Sequence, residues 1–138
     1  MIRFKRLPEN IRENIITLTS FLDSEPNIVF AYLFGGLAKD RQTPLSDIDI
    51  AIYIKNMKKL DHIGLFGKIT DALGTDEVDL VILNTSPVSL TGRILQNRKV
   101  LTDKDPFLRH RYESINLRKY FDFAIKERDI LRRRYKIG

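Results

Sequence analysis

Apolar positions along this chain fall into two patterns, and each predicts a different kind of element. After Pro8, the stretch NIRENIITLTSFLDS sets Ile11, Ile15, Ile16, Leu18 and Leu22 mostly at helical spacing, with Asn10 or Pro8 as the start signal. The Pro26-Asn27 turn ends that amphipathic helix, and IVFAYLF follows as an unbroken apolar, aromatic and β-branched run of strand length. A run apolar on both faces predicts a strand in mid-sheet. Gly35-Gly36 stops it, and LAKDRQTPLS is a polar connection in which Thr43-Pro44 disfavours a continuing helix. IDIAIYI is the next strand, with carboxylates at its start.

Leu60, Ile63, Leu65, Phe66, Ile69 and Leu73 predict a second helix closed by Gly74 as its C-terminal cap, and VDLVILN predicts a third strand. Pro87 opens a helix through Leu90, Ile94 and Leu95, after which Val100-Leu101 forms a short edge strand or an extended link. Between Pro106 and about Tyr135 there is no further glycine or proline. Leu108, Tyr112, Ile115, Tyr120, Phe121, Ala124 and Leu131 give this segment a wide apolar stripe, which predicts one long, basic C-terminal helix. Helices interleaved with strands imply an α/β or α+β fold, a small mixed sheet flanked by helices.

Composition narrows the function classes. The 138 residues suit one hydrophobic core, so a single domain spanning 1–138 is expected; 43% apolar and 30% charged residues exclude intrinsic disorder. No apolar run approaches the roughly 20 residues that cross a bilayer, and MIRFKRLPEN has no apolar stretch resembling a signal peptide. The expectation is a cytoplasmic protein without membrane contact. The absence of cysteine removes thiolate metal sites and thiol nucleophiles, so any metal is held by oxygen or imidazole. The net charge of +6 is uneven: residues 1–92 carry 10 Lys/Arg against 12 Asp/Glu, and residues 93–138 carry 14 against 6. Such asymmetry marks a nucleic-acid or acidic-protein partner, or only a solvated helix face.

The candidate chemistry lies in the acidic part. Asp47 and Asp49 stand two apart, which on a strand puts both side chains on one face. Asp79 holds the same place in VDLVILN that Asp49 holds in IDIAIYI, so neighbouring strands would bring three carboxylates together. All are hard oxygen donors with no Cys and no nearby His, which selects Mg²⁺ or Mn²⁺ over zinc. Two such ions can clamp the attacking and leaving oxygens of a phosphoryl or nucleotidyl transfer. Taken singly, Asp47 is also explained as a turn residue at strand entry and Asp79 as an edge carboxylate facing water. His62 and His110 stand apart from the carboxylates and are read as surface or helix residues.

Gly35-Gly36, ten residues, then Asp47-Ile48-Asp49, with YLF before and IAI after, resembles the signature of the polymerase-β nucleotidyltransferase superfamily: Gly-Ser, ten residues, Asp-x-Asp. With its small size, EVDLVIL strand and basic last helix, nearly the whole chain is similar to the minimal nucleotidyltransferase (MNT) antitoxins of HEPN/MNT toxin–antitoxin pairs. That resemblance implies the nucleotidyltransferase fold. It implies that Gly35 and Gly36 line the triphosphate of ATP, that Asp47 and Asp49 bind both metals, and that Asp79 joins them near the attacking group as candidate base. Gly36 stands where the signature usually has Ser, so one hydroxyl donor to the phosphates is missing. Lys39 and Arg41 supply positive charge to the triphosphate or are simply exposed loop residues.

The resemblance implies an antitoxin that transfers AMP from ATP to a hydroxyl, a tyrosine for choice, of a partner HEPN RNase. Two alternatives stand beside it. One is a catalytically weakened module that neutralises the toxin by binding alone; the other is a stand-alone enzyme acting on a small molecule or RNA end. The surface expected to meet the partner is the C-terminal helix, with RNA binding by the same arginines as a lesser rival.

Overall fold

The computed structural model describes residues 10–36 and 47–135. Four strands form one mixed sheet, and four helices cover its two faces. The elements run α1 (Ile11–Ser24), β1 (Ile28–Phe34), β2 (Ile48–Ile54), α2 (His62–Leu73), β3 (Val78–Ile82), α3 (Val88–Gln96), β4 (Lys99–Asp103) and α4 (Pro106–Tyr135). A 3₁₀ turn at Met57–Lys59, absent from the sequence expectation, leads into α2. There Asp61 accepts the Gly64 amide at 3.0 Å, and Gly74 closes the helix in the left-handed region (φ 71°).

The sheet order is β3-β2-β1-β4. β1 pairs antiparallel with both β2 and β4, which explains its fully apolar sequence: a strand with neighbours on both edges and helices on both faces has no wet side. β2 and β3 are parallel, joined through α2. Residues 99–103 settle the Val100-Leu101 alternatives as an edge strand. β3 ends two residues before the predicted strand VDLVILN does; Asn84 then extends the pairing with its side chain, donating to the Ile54 carbonyl and accepting the Ile54 amide, both at 2.8 Å.

Alternation along the strands divides the core in two. On one face Ile48, Ile50, Ile52 and Ile54 of β2 pack with Leu18 and Leu22 of α1 and Leu65, Ile69 and Leu73 of α2. On the other, Phe30, Tyr32 and Ala51 pack with Ile94 and Leu95 of α3, and Tyr53 and Tyr112 close against them. Phe30 stacks on Tyr53 with ring centres 4.9 Å apart, and Tyr112 meets both rings. No helix among the described residues is long and apolar enough to cross a membrane.

Candidate active site

The acidic residues gather at one end of the sheet because the register puts them there. Asp49 of β2 pairs with Asp79 of the parallel β3 and, across its other edge, with Phe34, the last residue of β1. Asp49 shares the parity of Ala51 and Tyr53, and Asp79 that of Val81, so both carboxyls emerge on the face covered by α3 and α4. The Ile48 amide donates to the Glu77 carbonyl at 3.0 Å, and the Glu77 amide to the Thr75 hydroxyl at 3.1 Å. These bonds fix the entry to β3 against the entry to β2, and hence one aspartate against the other.

Asp47 lies one residue before the ladder begins. Strand alternation therefore does not orient it, contrary to the expectation that both aspartates share a strand face, but its charge still acts on Asp49. Burial, the charge of Asp79, a hydrogen bond with Asp79 and the charge of Asp47 together push the Asp49 carboxyl up to about 6. The three acidic groups thus repel one another at this corner, and the proton on Asp49 is held more tightly than on a free carboxyl.

Gly35 completes the corner. Its φ of 74° is left-handed, and a Cβ there would lie 2.2 Å from Oδ2 of Asp49. The first glycine of the pair is thus required twice, by its backbone conformation and by the carboxylate seated against it. Gly36 follows at the rim, half-buried. Lys39 and Arg41 lie outside the described residues.

Among the described residues, no set of three His, Cys, Asp or Glu is already gathered for an ion. The chemistry of the donors nevertheless fits a hard divalent cation: only carboxylate oxygens are present, and the repulsion that Asp79 and Asp47 exert on Asp49 is what a cation would offset.

Residues 16–107 match the family described as Polymerase beta, Nucleotidyltransferase, a span that holds Gly35, Gly36 and all three aspartates. The chain belongs to that family. Solved nucleotidyltransferase-fold structures agree over nearly the full length. A toxin–antitoxin complex with AMP-PNP contains a chain 28% identical (TM-score 0.68, covering 86% of this chain and 94% of that one). The toxin–antitoxin complex MntA–HepT contains one 26% identical (TM-score 0.65, covering 87% and 95%). A complex of a tri-AMPylated Shewanella oneidensis HEPN toxin with its MNT antitoxin contains one 23% identical (TM-score 0.63, covering 86% and 95%), a likeness of fold. A comparison with curated protein sequences gave no match.

A second polar group, not anticipated from the sequence, lies between β1 and α4. Glu113, 6% exposed, accepts from the Tyr32 hydroxyl at 2.7 Å, from Arg98 Nε at 2.8 Å and from Arg109 Nη1 at 3.0 Å. Arg109 Nε also donates to Asp103 at 2.7 Å. Burial raises the Glu113 carboxyl, but the Tyr32, Arg98 and Arg109 hydrogen bonds outweigh it and hold the group below the usual range. The Tyr32 hydroxyl is pushed up by burial and by Glu113. The only trace in the sequence was the Arg109/Glu113 spacing of one helical turn. Nothing local pointed to Tyr32 or Arg98, because both are brought in by tertiary contact.

Proposed function

We propose that this nucleotidyltransferase is an antitoxin that moves AMP from ATP onto a hydroxyl, a tyrosine for choice, of a cognate HEPN RNase toxin and thereby silences it. The observation that carries this reading is the in-register Asp49–Asp79 pair seated against Gly35 in a chain that matches antitoxins of toxin–antitoxin complexes over 86% of its length, one of them solved with AMP-PNP.

Asp47, Asp49 and Asp79 would hold Mg²⁺ or Mn²⁺, which when bound neutralises charge on the phosphate oxygens of ATP. The chain's own residues do the rest. Gly35 and Gly36 let the backbone approach the triphosphate closely. Asp79, the most exposed of the three carboxylates, takes the proton from the acceptor hydroxyl. The acceptor oxygen then forms a bond to the α-phosphorus, the bond from that phosphorus to the β-phosphate oxygen breaks, and pyrophosphate leaves in line. Lys39 and Arg41 are assigned to the triphosphate on the resemblance alone.

Incubation of the purified chain with its HEPN partner, ATP and Mg²⁺, followed by intact-mass measurement, tests the proposal. A gain of one or more AMP groups on the toxin, lost with Asp49→Asn, is expected. No mass gain together with undiminished toxin neutralisation would favour the second reading, neutralisation by binding alone, for which Gly36 in place of the usual Ser is the supporting feature.

A further inference from the structure

The two strands that carry Asp49 and Asp79 are not equally secure. β2 lies inside the sheet, with β1 on one side and β3 on the other. Asp79 is the second residue of β3, a five-residue edge strand hydrogen-bonded to β2 alone among the described strands. Strand ends fray first, and this end also carries clustered charge, because Asp79 and Asp47 both repel Asp49. A slip of one residue would turn the Asp79 carboxyl to the opposite face of the sheet. The start of β3 therefore needs an anchor.

Two side chains outside the acidic corner supply it. The hydroxyl of Thr75, a residue only 5% exposed, accepts the Glu77 amide at 3.1 Å, and the Glu77 carbonyl accepts the Ile48 amide at 3.0 Å. The turn that opens β3 is thereby joined to the residue just before Asp49. On the other side of Gly74, Asn14 of α1 donates its Nδ2 to the Leu73 carbonyl at 2.9 Å, a contact between residues 59 apart in sequence. Leu73 is the last residue of α2, and its carbonyl has no partner within the helix. The short link from α2 to β3 is thus fixed at both ends, against α1 at one and against β2 at the other.

We infer that Thr75 and Asn14 form a clamp that positions Asp79 opposite Asp49, so that both are positioning residues for the transfer step. The inference rests on the reading above, in which Asp79 takes the proton from the acceptor hydroxyl. Asp49 and the strand that ends at Gly35 are placed by the β1–β2 ladder, which does not involve the α2–β3 link. Loosening the clamp should slow transfer while sparing ATP binding at saturating metal. Bonds that served stability alone would lower the melting temperature and leave kcat and KM where they were.

The test compares wild type, Thr75→Val, Thr75→Ser, Asp79→Asn and the Thr75→Val/Asp79→Asn double variant. Three quantities are read: AMP transfer to the purified HEPN toxin at saturating Mg²⁺, Mn²⁺ affinity in the presence of AMP-PNP, and hydrogen exchange of the Ile48 amide without metal. Valine keeps the shape of Thr75 and removes the acceptor, whereas serine keeps the acceptor. For Thr75→Val, kcat is expected to fall about tenfold or more with KM for ATP within about twofold of wild type. Mn²⁺ affinity should fall and Ile48 exchange should quicken, and Thr75→Ser should restore all of these. In the Asp79→Asn background, Thr75→Val should produce no further loss. A folded Thr75→Val chain with wild-type kcat, a loss that serine does not relieve, or a full further loss on top of Asp79→Asn overturns the clamp. If Thr75→Val does not fold, Asn14→Ala at its half-buried site carries the test, and wild-type kcat and Mn²⁺ affinity there overturn it. A wild-type chain that transfers no AMP overturns the antitoxin reading. The clamp is then judged on Mn²⁺ affinity and Ile48 exchange, and it is overturned as well if Thr75→Val changes neither.

Discussion

Asp49 is a residue whose charge costs stability, as its proposed metal-binding role would require. Its carboxyl titrates near 6 in the folded protein against an ordinary 3.8, so the folded state holds the proton more tightly than the unfolded chain. The stability linked to that proton is fully present below about pH 4 and is lost as pH rises through about 6. Asp49→Asn is therefore expected to raise the metal-free stability at pH 7, by no more than about 1–2 kcal/mol after solvent screening of a half-buried group, while abolishing metal-dependent nucleotide binding. Paired melting curves at pH 5 and pH 7, with calorimetry against AMP-PNP, would show it. The neighbouring glycines should respond in opposite ways. Gly35→Ala drives a Cβ onto the Asp49 carboxylate at a left-handed φ and should lower both stability and nucleotide affinity. Gly36→Ser restores the hydroxyl donor of the family signature and should keep the AMP-transfer rate or raise it, by at most about a hundredfold. A slower rate in a folded Gly36→Ser protein would show that the rim has repacked around glycine.

Between elements, two contacts in the seam of α4 on the rest of the fold can be probed by single substitutions. Ala is normally favoured over Gly inside a helix by about 1 kcal/mol, yet Gly92→Ala should destabilise the protein by about 1–3 kcal/mol because the Tyr120 ring occupies the space of the new methyl group. Denaturant unfolding of Gly92→Ala, alone and with Tyr120→Ala, decides the matter: relief in the double variant identifies the ring as the cause. Glu113→Gln keeps the shape of the buried cluster and removes its charge, for an expected loss of about 2–3 kcal/mol, moderated because Arg109 retains Asp103. The wild-type Glu113 carboxyl lies below its ordinary 4.5. Its contribution is thus present above about pH 4.5 and lost as pH falls through the folded value, so the stability gap between wild type and Glu113→Gln should close in acid.

For the molecule as a whole, the acidic corner and the basic run at the end of α4 are separate in sequence. Reversing Arg132, Arg133 and Arg134 to Glu should slow association with an acidic HEPN partner at low salt, converge with wild type at high salt, and leave AMP-PNP binding unchanged. Stopped-flow association over a range of ionic strength reads this directly, and equal rates at low salt would remove the steering role.

The sequence by itself determined the element types and most boundaries. Helical periodicity, continuous apolar runs and the Gly74 cap are local signals, and each corresponds to an element of the fold. It also determined the pattern of Gly35, Gly36, Asp47, Asp49 and Asp79, because a family signature is a matter of spacing. Tertiary structure alone decided that β2 and β3 are parallel neighbours in a register that faces Asp49 with Asp79, since strand order depends on which surfaces bury one another. It decided the Tyr32–Glu113–Arg98 cluster, whose members lie up to 81 residues apart and meet only when α4 crosses the sheet. It also decided how far α4 is covered. A stripe of apolar residues looks the same in sequence whether a core lies against it or not, and here the sheet and α3 end before the helix does, leaving residues 121–134 to solvent or to a partner.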